Sequence, residues 1–174
     1  AGIYYVVSGY PLMQFVQKTI GGVDSFTLLA IPFFLLAGDI MGKGGISKRM
    51  LRFANALVGP LTGGLAVTGV VSSAMFGTIC GSAPATAASI GSIVAPDMEA
   101  RGYSKRFTGS IIAAAGLLGI IIPPSIVMVN YGATAGVSIG SLFIGGIIPG
   151  IMAMLGLAVF SVWHNLSGAL LAVF

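Results

Sequence analysis

Gly119-Ile120-Ile121-Ile122-Pro123-Pro124-Ser125 stands inside a stretch, Phe107 to Gly136, that holds no Asp, Glu, Lys or Arg. In an α-helix the amide of residue i bonds the carbonyl of residue i−4, and proline has no amide to give. Pro123 therefore frees the carbonyl of Gly119, and Pro124 frees that of Ile120. The residue before a proline is also pushed out of the α region, so Ile122 and Pro123 are expected to be non-helical and the helix to break there. What such a break costs depends on the solvent around it.

The rest of the chain identifies that solvent. Of 174 residues 56% are hydrophobic and 7% charged, against about 25% charged in an average soluble domain. After Arg106 the remaining 68 residues carry no Asp, Glu, Lys or Arg, far beyond what a buried soluble helix sustains. The composition is that of an all-α integral membrane protein. The net charge of +4 sits where loops face a cytoplasm, so no nucleic-acid partner is needed to explain it. Cys80 is the single cysteine, which excludes an intrachain disulfide, and no His/Cys cluster has metal-ligand spacing. Phosphate loop, zinc motif and nucleophile elbow are all missing, which speaks against an enzyme or an ATP-driven pump. The chain opens at Ala1 with no charged leader, and the expectation is a fragment without a recognisable signal peptide.

Two basic loops narrow the topology to two choices. Ser25 to Met41, apolar up to Asp39, reads as a span entering a loop with Lys43, Lys48, Arg49 and Arg52. Phe53 to Pro96 is 44 residues without charge, and Asp97, Glu99, Arg101, Lys105 and Arg106 follow. If both positive loops stay inside, the stretch between them holds two full spans or one re-entrant hairpin. Its best helical pieces, about Leu65 to Ile79 and Pro84 to Ala95, are roughly 20 Å each at 1.5 Å per residue, short of the ~30 Å hydrocarbon core. That favours a hairpin whose tip is Cys80-Gly81-Ser82-Ala83-Pro84, with Ser82 capping the second arm and Pro84 in its first turn. Ser47 to Leu57 carries Lys48, Arg49 and Arg52 on one side and Met50, Leu51, Phe53, Ala54 and Leu57 on the other, an interfacial amphipathic helix. Phe107 to Gly136 is the broken span and Ile139 to Phe160 another, with Trp163, His164 and Asn165 as an interface belt. Ala1 to Gln17 reads as the end of a truncated span.

Unpaired carbonyls in hydrocarbon are tolerated only where they are buried in protein, line a wet cavity or bind something. Carbonyls at the negative end of a half-helix suit a hard cation such as Na⁺. The first hairpin arm ends with free carbonyls around Gly77 to Cys80, and the second begins with free amides near Ser82 to Ala85, suited to an anionic group. Two broken elements facing one another at the midplane are the sequence pattern of a secondary-transporter site. Bland readings stand beside this. A proline kink can be satisfied by neighbouring helices. The Gly/Ser/Ala run Ser72 to Ser92, with small-xxx-small spacings Gly59/Gly63 and Gly77/Gly81, also fits a close-packed interface. Asp39 and Lys43 read as a solvated pair, and Cys80 as a small packing residue.

The strings Ser25 to Gly38 (SFTLLAIPFFLLAG), Gly44-Gly45-Ile46-Ser47, Phe76 to Thr86 (FGTICGSAPAT), Gly102-Tyr103, Gly119 to Ser125, Ser138-Ile139-Gly140 and Ile148-Pro149-Gly150 together resemble the large membrane subunit of tripartite ATP-independent periplasmic (TRAP) transporters. The likeness runs from about residue 20 to 155, and the chain looks like the first half of that subunit. The resemblance implies one half of an inverted-repeat elevator transporter, multi-pass in the bacterial inner membrane. Residues 1–60 would be a scaffold-type span and interfacial helix, 61–136 a transport-domain hairpin and broken helix, and 137–174 the following span. It also implies sodium-coupled import of small organic anions, such as C4-dicarboxylates or sialic acid. A periplasmic binding protein would deliver the anion, and a smaller membrane subunit would accompany the large one. The sodium ligands it implies are backbone carbonyls of Gly77, Cys80, Gly119, Ile122 and Pro124; only Gly119 is also selected by the missing-amide argument. Cys80 stands where the resemblance leads one to expect serine. Ser82 and Thr86 are the substrate-side candidates near the tip. The rival classes are a noncatalytic membrane-packing or assembly subunit and a channel, the latter poorly served by so few polar residues.

Overall fold

Small residues on every side let a helix be surrounded by other helices, and Gly64–Cys80 is enclosed in this way, with Val70, Ser72, Ser73, Phe76, Gly77 and Cys80 all buried. The computed structural model describes residues 11–23 and 30–171, and among these there is no strand. The helices are α1 (Leu12–Val23), α2 (Ala30–Lys43), α3 (Ile46–Val58), α4 (Gly64–Cys80), α5 (Ala83–Ala100), α6 (Lys105–Gly116), α7 (Leu118–Ile121), α8 (Ile126–Ala135) and α9 (Ile139–Leu171). Residues 1–10 of the expected first span, and 25–29 of the Ser25 to Met41 span with the start of its motif string, lie outside the described residues.

α4 and α5 form an αα-hairpin joined by Gly81 and Ser82. Its core is Val70 and Phe76 from α4, Ile90, Val94 and Met98 from α5, and Leu118 from α7, each exposing 1% or less of its surface. The arms are longer than expected. α5 runs through Pro96 to Ala100, because both Pro96 and the Ser92 whose carbonyl it frees lie on the exposed side. At 17 and 18 residues the arms approach 26–27 Å at ~1.5 Å per residue. The shortness that favoured a hairpin over two spans is therefore smaller than expected.

α3 occupies the expected interfacial segment, but its apolar side divides. Ala54 is buried and Met50 and Leu51 pack on the core, whereas Phe53 and Leu57 are exposed along with Lys48, Arg49 and Arg52. α9 is one helix of 33 residues and does not end at Phe160. It passes through Pro149, next to Gly145 and other exposed positions, and includes Trp163, His164 and Asn165. Trp163 is exposed, but His164 stacks on Phe107 with ring centroids 4.2 Å apart, and the Asn165 amide donates to the carbonyl of Ser161. By length and composition α9 suffices to cross a bilayer over Ile139–Leu166, and Lys105–Ile121 with Ile126–Ala135 suffices as a bent pair.

Candidate functional site

The broken span bends by 42° between Ile121 and Ile126, and Ile122 to Ser125 are non-helical. Ile122 is extended, as a residue before proline should be, at φ −82° and ψ 123°. Among the described residues no backbone or side-chain donor reaches the carbonyls of Gly119 or Ile120, the two that the missing amides were expected to free. Ser125 then restarts the chain as the N-cap of α8, its buried hydroxyl accepting from the Met128 amide at 3.5 Å.

The hairpin tip lies directly against this break. The amide of Ile126 donates to the carbonyl of Gly81 at 3.2 Å. Gly81 is left-handed at φ +59°, and a Cβ there would stand 3.1 Å from both the Pro124 oxygen and the Ile126 nitrogen. One turn earlier, a Cβ on Gly77 would come within 2.5 Å of the Gly119 Cα. The two backbones touch because neither residue has a side chain. Of the carbonyls considered as ligands, that of Gly77 accepts the Gly81 amide at 2.8 Å. Those of Cys80, Gly119, Ile122 and Pro124 accept no hydrogen bond among the described residues.

The two polar candidates at the tip differ. Ser82 is the N-cap residue of α5 and half-buried, but its side chain makes no capping bond. Its carbonyl instead accepts from the amide and hydroxyl of Thr86, at 3.0 and 2.8 Å. Thr86 is fully buried, and its hydroxyl also lies 3.0 Å from Cys80 Sγ. The Thr86 hydroxyl therefore faces inward, against the place where a Gly119 Cβ would be, 2.6 Å away. The termini of α4 and α7 bring partial negative charge to this junction and those of α5 and α8 partial positive charge. Its polarity is that of backbone groups and hydroxyls, with no charged side chain, since no Asp, Glu, Lys, Arg or His occurs in 76–86 or 117–126. Among the described residues no group of three or more His, Cys, Asp or Glu side chains could hold a metal. Such a junction can coordinate a hard cation through carbonyls and receive an anion at helix amides.

Supporting residues that the sequence did not assign to the site are glycines. A Cβ on Gly38 of α2 would lie 2.8 Å from Cys80 Cβ, one on Gly146 of α9 2.8 Å from the Ile121 oxygen, and one on Gly150 2.5 Å from Ile122 Cγ1. Gly146 and Gly150 are four apart in a long apolar helix, the spacing that lets helices approach closely, so that signal was present in the sequence.

A family model for the tripartite ATP-independent periplasmic transporter, DctM component, matches residues 1–170. The chain is 46% identical over 155 residues to the isethionate TRAP transporter permease protein DctMQ of Oleidesulfovibrio alaskensis, a match covering 89% of this chain and 24% of that protein. It is 54% identical over 134 residues to the C4-dicarboxylate TRAP transporter large permease protein DctM of Vibrio cholerae, covering 77% and 30% respectively. It is 41% identical over 145 residues to the sialic acid TRAP transporter large permease protein SiaM of the same species, covering 83% and 34%. The chain thus spans about a quarter to a third of the length of these relatives.

Proposed function

The chain belongs to the DctM component family of tripartite ATP-independent periplasmic transporters, and from that premise we propose that it is part of a sodium-coupled importer of small organic anions. Residues 61–136 are its moving unit, a re-entrant hairpin with its broken helix. Residues 1–60 and 137–174 belong to the surrounding scaffold and following span, and transport proceeds by an elevator motion in the bacterial inner membrane. A smaller membrane subunit and a periplasmic binding protein complete the assembly. The substrate class is carboxylates or sulfonates of low mass, in keeping with the names of the relatives, which specify isethionate, C4-dicarboxylate and sialic acid.

The observation that carries this reading is the apposition of the hairpin tip to the break, with the carbonyls of Gly119, Cys80, Ile122 and Pro124 lacking donors beside it. Cys80 and Gly119 are buried and Ile122 and Pro124 half-buried; acceptors without partners away from water are costly, and Na⁺ would satisfy several at once. Sodium bound there orders the tip and adds positive charge next to the first-turn amides of α5. The carboxylate of a substrate then binds more favourably near Ser82.

The rival reading, a noncatalytic packing subunit, draws on the Gly77–Gly119 and Gly150–Ile122 contacts, which are those of close helix packing. Uptake by the complete transporter across imposed Na⁺ gradients separates the two. With Pro123 and Pro124 both replaced by Ala the missing amides return, the helix closes, and Na⁺-dependent uptake is expected to be lost. Normal coupled uptake in that variant would overturn the sodium reading.

A further inference from the structure

Away from the hairpin tip, α6 and α9 leave a cavity of about 340 Å³ whose wall changes character along its length. Ser104, Arg106 and His164 stand at one end, and Ile111, Ala114 and Leu157 at the other. Phe107 and Phe160 lie between them, with Phe107 stacked on His164 at 4.2 Å and on Tyr103 at 6.0 Å. The polar end coincides with the basic loop, where the headgroup layer of the bilayer would lie. It is also the positive end of α6, whose first residues are Lys105 and Arg106. Among the described residues, no acidic residue lines the cavity.

We infer that this groove holds one acyl chain of an anionic phospholipid from the leaflet facing the basic loops, with its phosphate at Arg106 and Ser104. Shape selects the occupant. Ser104 to Ala114 spans about 15 Å at 1.5 Å per residue, the depth of a single leaflet's hydrocarbon. An acyl chain whose phosphate sits at the cationic end therefore reaches the apolar end formed by Ile111, Ala114 and Leu157. Charge selects the headgroup: a cationic end without a carboxylate prefers a phosphate that carries net negative charge. The inference requires only that the chain lies in a bilayer, and it stands apart from the sodium site.

The test is native mass spectrometry of the complete transporter equilibrated with phosphatidylglycerol or phosphatidylethanolamine. Phosphatidylglycerol should be retained in preference, and Arg106→Gln should reduce that preference about fivefold, as expected for one cation near the headgroup layer. Ala114→Phe, which fills the apolar end, should remove both lipids. Ser110→Leu narrows the groove from its exposed side and should act likewise should Ala114→Phe impair folding. Inorganic phosphate should not compete, because most of the contact is hydrocarbon. Undiminished lipid retention in Ala114→Phe and Ser110→Leu would overturn the inference. So would full competition by inorganic phosphate, or capture of another part of the transporter, not lipid, by a photoreactive group at position 114.

Discussion

The backbone amide of Ile126 donates to the carbonyl of Gly81 across 3.2 Å, so the first residue of α8 is tied to the hairpin turn. Ile126 lies in the first turn of its helix, where amides have no intrahelical acceptor, and Gly81 follows the last residue of α4, where carbonyls lack donors. Two helix ends thus satisfy one another, and the hairpin and the second half of the broken span are tied together at that point.

Gly81→Ala tests this link. Alanine at φ +59° is strained by about 1–2 kcal/mol, and its Cβ would press on the Pro124 oxygen and the Ile126 nitrogen at 3.1 Å. We expect the complete transporter to lose about 1–3 kcal/mol of stability and the Ile126 amide to exchange with solvent faster. Wild-type exchange at Ile126 would show that the bond does not hold the junction together.

Gly77→Ala and Gly109→Ala should part company although both add one methyl to a helix. At Gly77 the methyl meets the Gly119 Cα at 2.5 Å, while at Gly109 nothing lies within 4 Å. Overpacking costs about 1–3 kcal/mol, and helical Gly→Ala in open space gains about 0.5–1 kcal/mol. Thermal unfolding of the two variants should therefore shift in opposite directions, and uptake should fall only in Gly77→Ala. Equal shifts would mean that the close approach relaxes at no cost.

Much of this was legible in the sequence because it followed from single atoms. The absent amides of Pro123 and Pro124 placed the break, and Gly81 with Pro84 placed the hairpin turn. The extent of the helices was less legible. Pro96 and Pro149 also lack amides, yet α5 and α9 run through them. Proline at an exposed position leaves its free carbonyl facing outward, and exposure is a tertiary property. The inward turn of the Thr86 hydroxyl was invisible for the same reason: its partners, the Ser82 carbonyl and Cys80 thiol, come together only when the hairpin closes.

Thr86→Val and Ser82→Ala should differ in which kinetic constant they move. The Thr86 hydroxyl is buried and held by Ser82 and Cys80, so its loss should cost about 1 kcal/mol of stability and leave the KM for uptake unchanged. Ser82 spends no side-chain bond on its helix. If it meets the substrate, Ser82→Ala should raise KM about two- to twelvefold, the equivalent of one hydrogen bond of ~0.5–1.5 kcal/mol. A KM effect in Thr86→Val alone would reverse the roles.

Asp39 and Lys43 pair at 2.8 Å with 61% and 78% of their side chains exposed. An exposed i,i+4 pair contributes about 0.3–0.5 kcal/mol, so Asp39→Asn should leave thermal stability nearly unchanged and uptake intact. Collapse of uptake in a folded Asp39→Asn variant would place this carboxylate on an ion path after all.

Tyr103 supplies a pH test outside the spans. Burial raises its phenol above the ordinary value of 10.0, and the Arg101 guanidinium pulls it part of the way back. The fold thus favours the neutral phenol. Its contribution to stability is fully present below the unfolded pKa and is lost as pH rises through the higher folded value. Arg101→Gln removes the opposing influence, so phenolate should form at still higher pH. Phe107→Leu opens the ring stack against Tyr103 and admits water, so ionisation should move back down towards 10.0. The difference in phenolate absorbance between each protein and its Tyr103→Phe counterpart isolates this residue during alkaline titration. Ionisation at the same pH with and without Arg101 would mean that solvent screens the guanidinium completely, and burial alone would then account for the shift.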